Sequence, residues 1–213
     1  MTPNLLVGGV GILAAVVEFA LAFLAYKASK SEILRDLKYF AYGVAILGLG
    51  QLLFMGIAGF MGVKNMRLML ALRAPFRAIG VGLILYSLIS LINKNLAKTV
   101  GTIVTVLAAI FIVGIAYSLL TTGGRDPLFP ALHVVYLTLL PWYVAYLSYK
   151  VYKESGDKSG LYVAFALFIF SLSIVSAITL HNVLNLGIAI ATSTATLLEV
   201  IGMIVALLAF ISG

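Results

Sequence analysis

Seven apolar runs, each about 20 residues or longer, are separated by short polar breaks, and this spacing limits the chain to one class of fold. The runs are 4–26, 37–62, 68–92, 97–120, 128–152, 160–181 and 186–211. A helix that crosses the hydrocarbon of a bilayer needs about 20 mostly apolar residues, so each run is long enough to span. The breaks carry Lys, Asp, Asn and Gly and leave no room for a soluble domain, so successive helices are expected to run antiparallel. The spacing predicts an all-α bundle of seven transmembrane helices forming a single domain over 1–213, with a lipid bilayer as its main partner.

Composition agrees: 63% of residues are hydrophobic and 10% charged, with a mean hydropathy of +1.16. A soluble domain carries about a quarter charged residues, so too little polar surface is available to cover a water-soluble globule. The chain has no cysteine, which excludes disulfides, thiolate metal sites, iron–sulfur clusters and a cysteine nucleophile. The net charge of +7 does not point to nucleic acid, because the basic residues sit mostly in short loops, where they orient helices. No basic residue precedes the first apolar run in Met1-Thr2-Pro3-Asn4, so the first helix is expected to be retained rather than cleaved as a secretory signal.

The loops after helices one, three and five hold Lys27, Lys30, Arg35, Lys38, Lys94, Lys98, Lys150, Lys153 and Lys158. Those after helices two, four and six hold Lys64, Arg67 and Arg125. Basic residues in short loops mark the cytoplasmic side, so the N-terminus is expected outside and the C-terminus in the cytoplasm.

Helix one ends in Ala22-Phe-Leu-Ala-Tyr-Lys-Ala-Ser-Lys30 and helix five in Ala145-Tyr-Leu-Ser-Tyr-Lys-Val-Tyr-Lys153. Helix three carries Arg77-Ala-Ile-Gly-Val81 and helix seven Glu199-Val-Ile-Gly-Met203 at nearly the same offset. Helices one to three (1–93) therefore read as a parallel duplicate of helices five to seven (123–213), joined by a linker helix (94–122). Such repeats recur in transporters. This three-plus-one-plus-three plan with its N-terminus outside resembles the SWEET-type sugar carriers and, more loosely, the microbial rhodopsins. The carriers place prolines in the middle of helices one, two, five and six; this chain has Pro141 so placed, with Pro75 in helix three. The rhodopsins need a lysine in helix seven for a retinal Schiff base. Met203 stands there in this chain, so no covalent retinal is expected.

Ionisable residues within the membrane cost about 2.5–3.5 kcal/mol each on insertion scales, so each needs a partner or a task. Arg73 and Arg77 are four apart on one face of helix three. If the repeat holds, Glu199 lies at the depth of Arg77 and pairs with it, leaving Arg73 free. The plainer alternative is a pair that only locks the bundle while Arg73 snorkels outward. Glu18 in helix one has no evident basic partner, and Gln51 lies near the middle of helix two. Thr192, Thr196 and Glu199 share a face of helix seven; such hydroxyls commonly bond their own backbone. The glycines of helix two, Gly43, Gly48, Gly50, Gly56 and Gly59, are expected to allow close helix packing.

The histidines are His133, in the outer part of helix five, and His181, at the outer end of helix six. As axial ligands from antiparallel neighbours they would suit a haem b, with the arginines near its propionates. No zinc-protease, nucleophile-elbow or phosphate-loop motif occurs, so no catalytic residue and no metal site are assigned.

Three functions remain open. The first is a small-molecule binder of transporter or receptor type with an outward-facing polar pocket lined by Arg73, Arg77, Gln51, His133, Tyr136 and Glu199. The cationic pair suits a small anionic or strongly hydrogen-bonding ligand, and no resident cofactor is then needed. The second is an electron-transfer subunit with one haem b on His133 and His181. The third is a membrane anchor or sensory module for a separate soluble chain. Association into a homo-oligomer or with a partner subunit is compatible with each.

Overall fold

A computed structural model describes residues 3–61, 66–123, 126–156 and 158–211. These form seven helices long and apolar enough to cross a membrane, and among the described residues there is no strand. They are α1 (Pro3–Ala28), α2 (Leu37–Phe60), α3 (Met66–Ile92), α4 (Lys94–Thr122), α5 (Leu128–Ser155), α6 (Lys158–Ile178, extended by the π-helical turn Thr179–Val183) and α7 (Ile188–Ile211). In a bilayer there is no water to pair with, so backbone amides and carbonyls would have to bond within the segment, and a continuous helix achieves this. Gly62, Lys64 and Arg125 lie outside the described residues, as does the side chain of Arg67.

Polar residues set the helix ends. The Asn93 side chain accepts from the backbone N–H groups of Asn95 and Leu96, both at 3.1 Å, and starts α4 three residues earlier than the apolar run suggests. Gly123 (φ 65°) and Gly156 (φ 74°) end α4 and α5 in the left-handed region that glycine enters without strain. Asp126, between α4 and α5, accepts from Ser118 Oγ (3.0 Å), Phe129 N (3.1 Å) and the Thr122 hydroxyl. The Thr122 bond, with those from Ser118 and the backbone, holds its carboxyl below the usual carboxylate range.

Six helices form a closed ring in the order α1, α2, α3, α5, α6, α7, with α7 packed back on α1. α4 lies outside the ring against α3 and α5. It buries the least of itself and turns Val106, Ile110, Val113, Tyr117 and Leu120 outward. The α1–α2 and α2–α3 contacts have counterparts in α5–α6 and α6–α7. Two close backbone approaches also correspond. A methyl added at Gly43 would lie 2.6 Å from the Gly80 carbonyl oxygen, and one at Gly202 would lie 3.0 Å from that of Ala166. Only glycine allows helices so close.

The ring differs from one end to the other. Near the end that holds the C-terminus, Phe40, Ile84, Leu88, Phe170 and Met203 fill the interior and leave about 10 Å³. Ser90 Oγ there donates to Asp36 Oδ2 (3.0 Å) and Ser87 Oγ to the Asp36 carbonyl (2.8 Å), fixing the α1–α2 connection on α3. Toward the N-terminal end lie three π-helical turns, Leu52–Ile57 in α2, Val135–Leu139 in α5 and Thr179–Val183 after α6. Such single-turn widenings interrupt regular helix pairing and are frequent at functional sites. The turn in α5 runs up to Pro141, which lacks the N–H that a regular helix would use.

Candidate functional site: a cavity floored by a buried ion triad

A cavity of about 170 Å³ opens among α3, α5, α6 and α7 at the N-terminal end. Helical spacing brings its lining together. Leu70, Arg73 and Arg77 share one face of α3, and Thr192, Thr196 and Glu199 one face of α7. Ile174, Ile178 and His181 come from α6, and Phe129, Pro130 and His133 from the start of α5. The walls are largely apolar and the charged groups gather at the floor. Pro130, exposed, and His181 stand toward the rim.

Glu199 anchors that floor. Arg73 Nη2 donates to its Oε2 at 3.2 Å, and Arg77 Nη2 donates to its Oε1. Glu199 and Arg73 are 1% and 2% exposed, and Arg77 is 6% exposed. The expected Arg77–Glu199 contact is present. The expectation that Arg73 stays free or snorkels is corrected: one carboxylate has two oxygens, and each takes a different guanidinium. Two guanidiniums on one carboxylate leave the triad with one net positive charge. Nε of each arginine is buried and without a hydrogen-bond partner among the described residues.

Both histidines line the same cavity. His133 Nδ1 lies 2.8 Å from the Phe129 carbonyl oxygen and His181 Nδ1 3.2 Å from that of Leu186. A carbonyl only accepts, so each imidazole carries hydrogen on Nδ1. His133 is further held between the Phe111 and Phe129 rings, at centroid distances of 5.0 and 4.6 Å.

Two of the residues expected in the lining face elsewhere. Tyr136 donates its hydroxyl to the Ala78 carbonyl (2.7 Å) and stacks on Phe111, tying α5 to α3 behind the cavity wall. Gln51 is fully buried on α2, and neither amide atom has a partner among the described residues. A methyl added at Gly48 would touch Glu18 Cβ (3.3 Å), and one at Gly50 would sit 3.6 Å from Arg73 Cγ. At about 100° per residue, Gln51 projects between those two directions, into the ring interior between α1 and α3.

Sequence reasoning did not single out the apolar walls, chiefly Leu70, Phe129, Pro130, Ile174 and Ile178. Nothing distinguishes them from lipid-facing residues except the i, i+3, i+4 spacing they share with the polar floor. Among the described residues no group of three or more His, Asp or Glu side chains is placed to hold a metal ion.

No curated protein and no solved structure matches the chain. Residues 7–89, which run from α1 through most of α3, are similar to a family of unknown function, DUF7521.

Proposed function

We propose that the chain is a multi-pass membrane protein with its N-terminus outside and its C-terminus in the cytoplasm. On this reading the cavity faces outward and binds a small organic anion, for transport or for sensing. The observation that carries the reading is the pair of buried guanidiniums at the base of an apolar-walled cavity. They share a single carboxylate, and both Nε donors are unspent. A ligand carboxylate would meet the two guanidiniums of the triad, and its hydrocarbon would lie against Leu70, Phe129, Ile174 and Ile178.

Volume sets the ligand size. At about 30 Å³ per water-sized group, a cavity of about 170 Å³ holds roughly six heavy atoms, the size of a short-chain fatty acid. That weighs for a compact anion over the haem b that His133 and His181 would ligate, and an absorption spectrum of the purified protein separates the two. The dry packing at the other end supports a chamber reached from one side. The matching helix contacts and the matching Gly43–Gly80 and Ala166–Gly202 approaches support the two-repeat plan, with α4 as the linker.

Straight-chain carboxylates of increasing length are expected to raise the thermal midpoint of the detergent-solubilised protein, with an optimum near butyrate. At a hundred times Kd the gain is about 2.7 kcal/mol. Ala177→Phe, which fills the cavity from α6 and leaves the triad intact, should abolish the shift. A series with no response, or a response that survives Ala177→Phe, would overturn the binding reading. Orientation is checked separately: a reporter active only in the cytoplasm should be active when fused after Gly213 and silent when fused at Gly124. The reverse pattern would turn the cavity inward.

A further inference from the structure

Beside the cavity floor is a second buried polar group that the anion reading does not use. Glu18 on α1 is 1% exposed, and its Oε2 has no hydrogen-bond partner among the described residues. It lies within Coulombic reach of Arg73, Glu199 and Arg77. Gln51, whose amide atoms have no partner among the described residues, projects into the interior between α1 and α3, on the side where Glu18 and Arg73 meet α2. Thr196 Oγ1, which borders the cavity, is likewise buried and unpartnered. Buried polar atoms are nearly always satisfied by protein or by ordered water, so unpaired groups at this level mark a polar continuation of the cavity floor toward α1.

Counting charge assigns that continuation a role. Arginine stays protonated near neutral pH, so Arg73 and Arg77 contribute two positive charges. With Glu199 and Glu18 both ionised, the four-residue cluster is neutral. An anion entering the cavity would then leave a net negative charge in a low-dielectric interior, which is unfavourable. A proton on Glu18 restores neutrality. With the cavity empty the same proton would leave a net positive charge, so the proton and the anion each favour the other.

We propose that Glu18 is a proton-binding site coupled to the cavity, so that proton uptake accompanies anion binding. The proposal rests on the anion reading above for its ligand and on the Glu18–Arg73–Glu199 juxtaposition for its mechanism. Coupling of this kind is reciprocal. The proton raises the affinity for the anion by the factor that the anion raises the affinity for the proton, typically about 5- to 150-fold. Other titratable groups facing the cluster are His133 and His181 on the cavity side. α2 brings Gln51, which does not titrate.

The experiment uses the full chain in lipid nanodiscs, with butyrate as the probe and a pH-indicator dye in weak buffer. At a pH between the titrations of the empty and the loaded protein, wild type is expected to take up protons as butyrate binds, with one per butyrate as the upper limit. Its affinity should fall as the pH rises through that range. Glu18→Gln, which keeps the shape of the side chain, should bind butyrate without proton uptake and with little pH dependence. Glu18→Asp should retain uptake. Uptake that persists in Glu18→Gln overturns the assignment. If butyrate does not bind, the cavity reading fails, and Glu18 is judged without any anion. Infrared difference spectra across a pH titration should then show a protonated-carboxyl band in wild type that is missing from Glu18→Gln. Absence of that band in wild type overturns the proton site as well.

Discussion

The same three helices, α3, α6 and α7, build two opposite interiors at two depths. Toward the C-terminal end Leu88, Phe170 and Met203 interlock and leave about 10 Å³, whereas toward the N-terminal end Arg73, Ile174 and Thr196 border about 170 Å³. Glycine and apolar side chains account for the tight depth, because Gly80 and Gly202 let neighbouring backbones approach closely. Charge accounts for the open one. A carboxylate that holds two guanidiniums sets the side chains of α3 and α7 in fixed geometry, and nearby apolar residues cannot collapse around it without stranding polar atoms. The π-helical turns lie toward the open end, where regular packing has already given way. On the proposed reading, the chamber, closed below and built on charge, receives a ligand from one side, while the tight depth supplies rigidity.

Removing the triad should break this difference most strongly. Glu199→Ala leaves two buried guanidiniums facing each other and is expected to destabilise the bundle by roughly 3–5 kcal/mol, read as thermal unfolding in detergent. Arg77→Ala should cost less, because Arg73 still pairs with Glu199. The double variant should be more stable than Glu199→Ala alone, since only Arg73 then lacks its carboxylate and Glu18 remains within its reach. Strictly additive losses would mean that the triad contributes nothing as a unit.

A smaller effect should come from adding volume at the two depths. Gly80→Ala places a methyl 2.7 Å from Leu47 Cγ and 2.8 Å from the Gly43 carbonyl oxygen, and should cost about 1–3 kcal/mol. Ala195→Val adds carbon into the cavity and should be neutral or stabilise by about 0.5–2 kcal/mol. Equal penalties at both positions would show that the cavity is filled in the working protein, most simply by lipid or ligand.

Much of this was legible in the residues themselves. The seven spans follow from hydropathy, and their ends shift by two or three residues, as at α4, where Asn93 caps the start. The Arg77–Glu199 contact was legible because both residues precede an Ile-Gly pair at corresponding places in α3 and α7. The second pairing, of Arg73, was missed because spacing along one helix does not say how many donors a carboxylate on another helix will accept. Tyr136 and Gln51 were expected in the cavity because they are polar and at suitable depth. Their actual directions depend on helix rotation, which places one against the Ala78 carbonyl and turns the other into the space between α1 and α3.

Apolar length and the placement of short polar breaks, by themselves, determined how many helices this chain forms, roughly where each begins and ends, and which rare charges must lie inside. These are properties of a segment and its solvent, and each run carries them without reference to the others. Only the tertiary structure decided that α4 stands outside the ring, that two arginines converge on one carboxylate, and that a cavity opens at one depth and closes at another. Those outcomes depend on rotations and close approaches between helices far apart in the chain. Shifts of an ångström there separate a filled interior from an open one, and hydropathy carries no information at that scale.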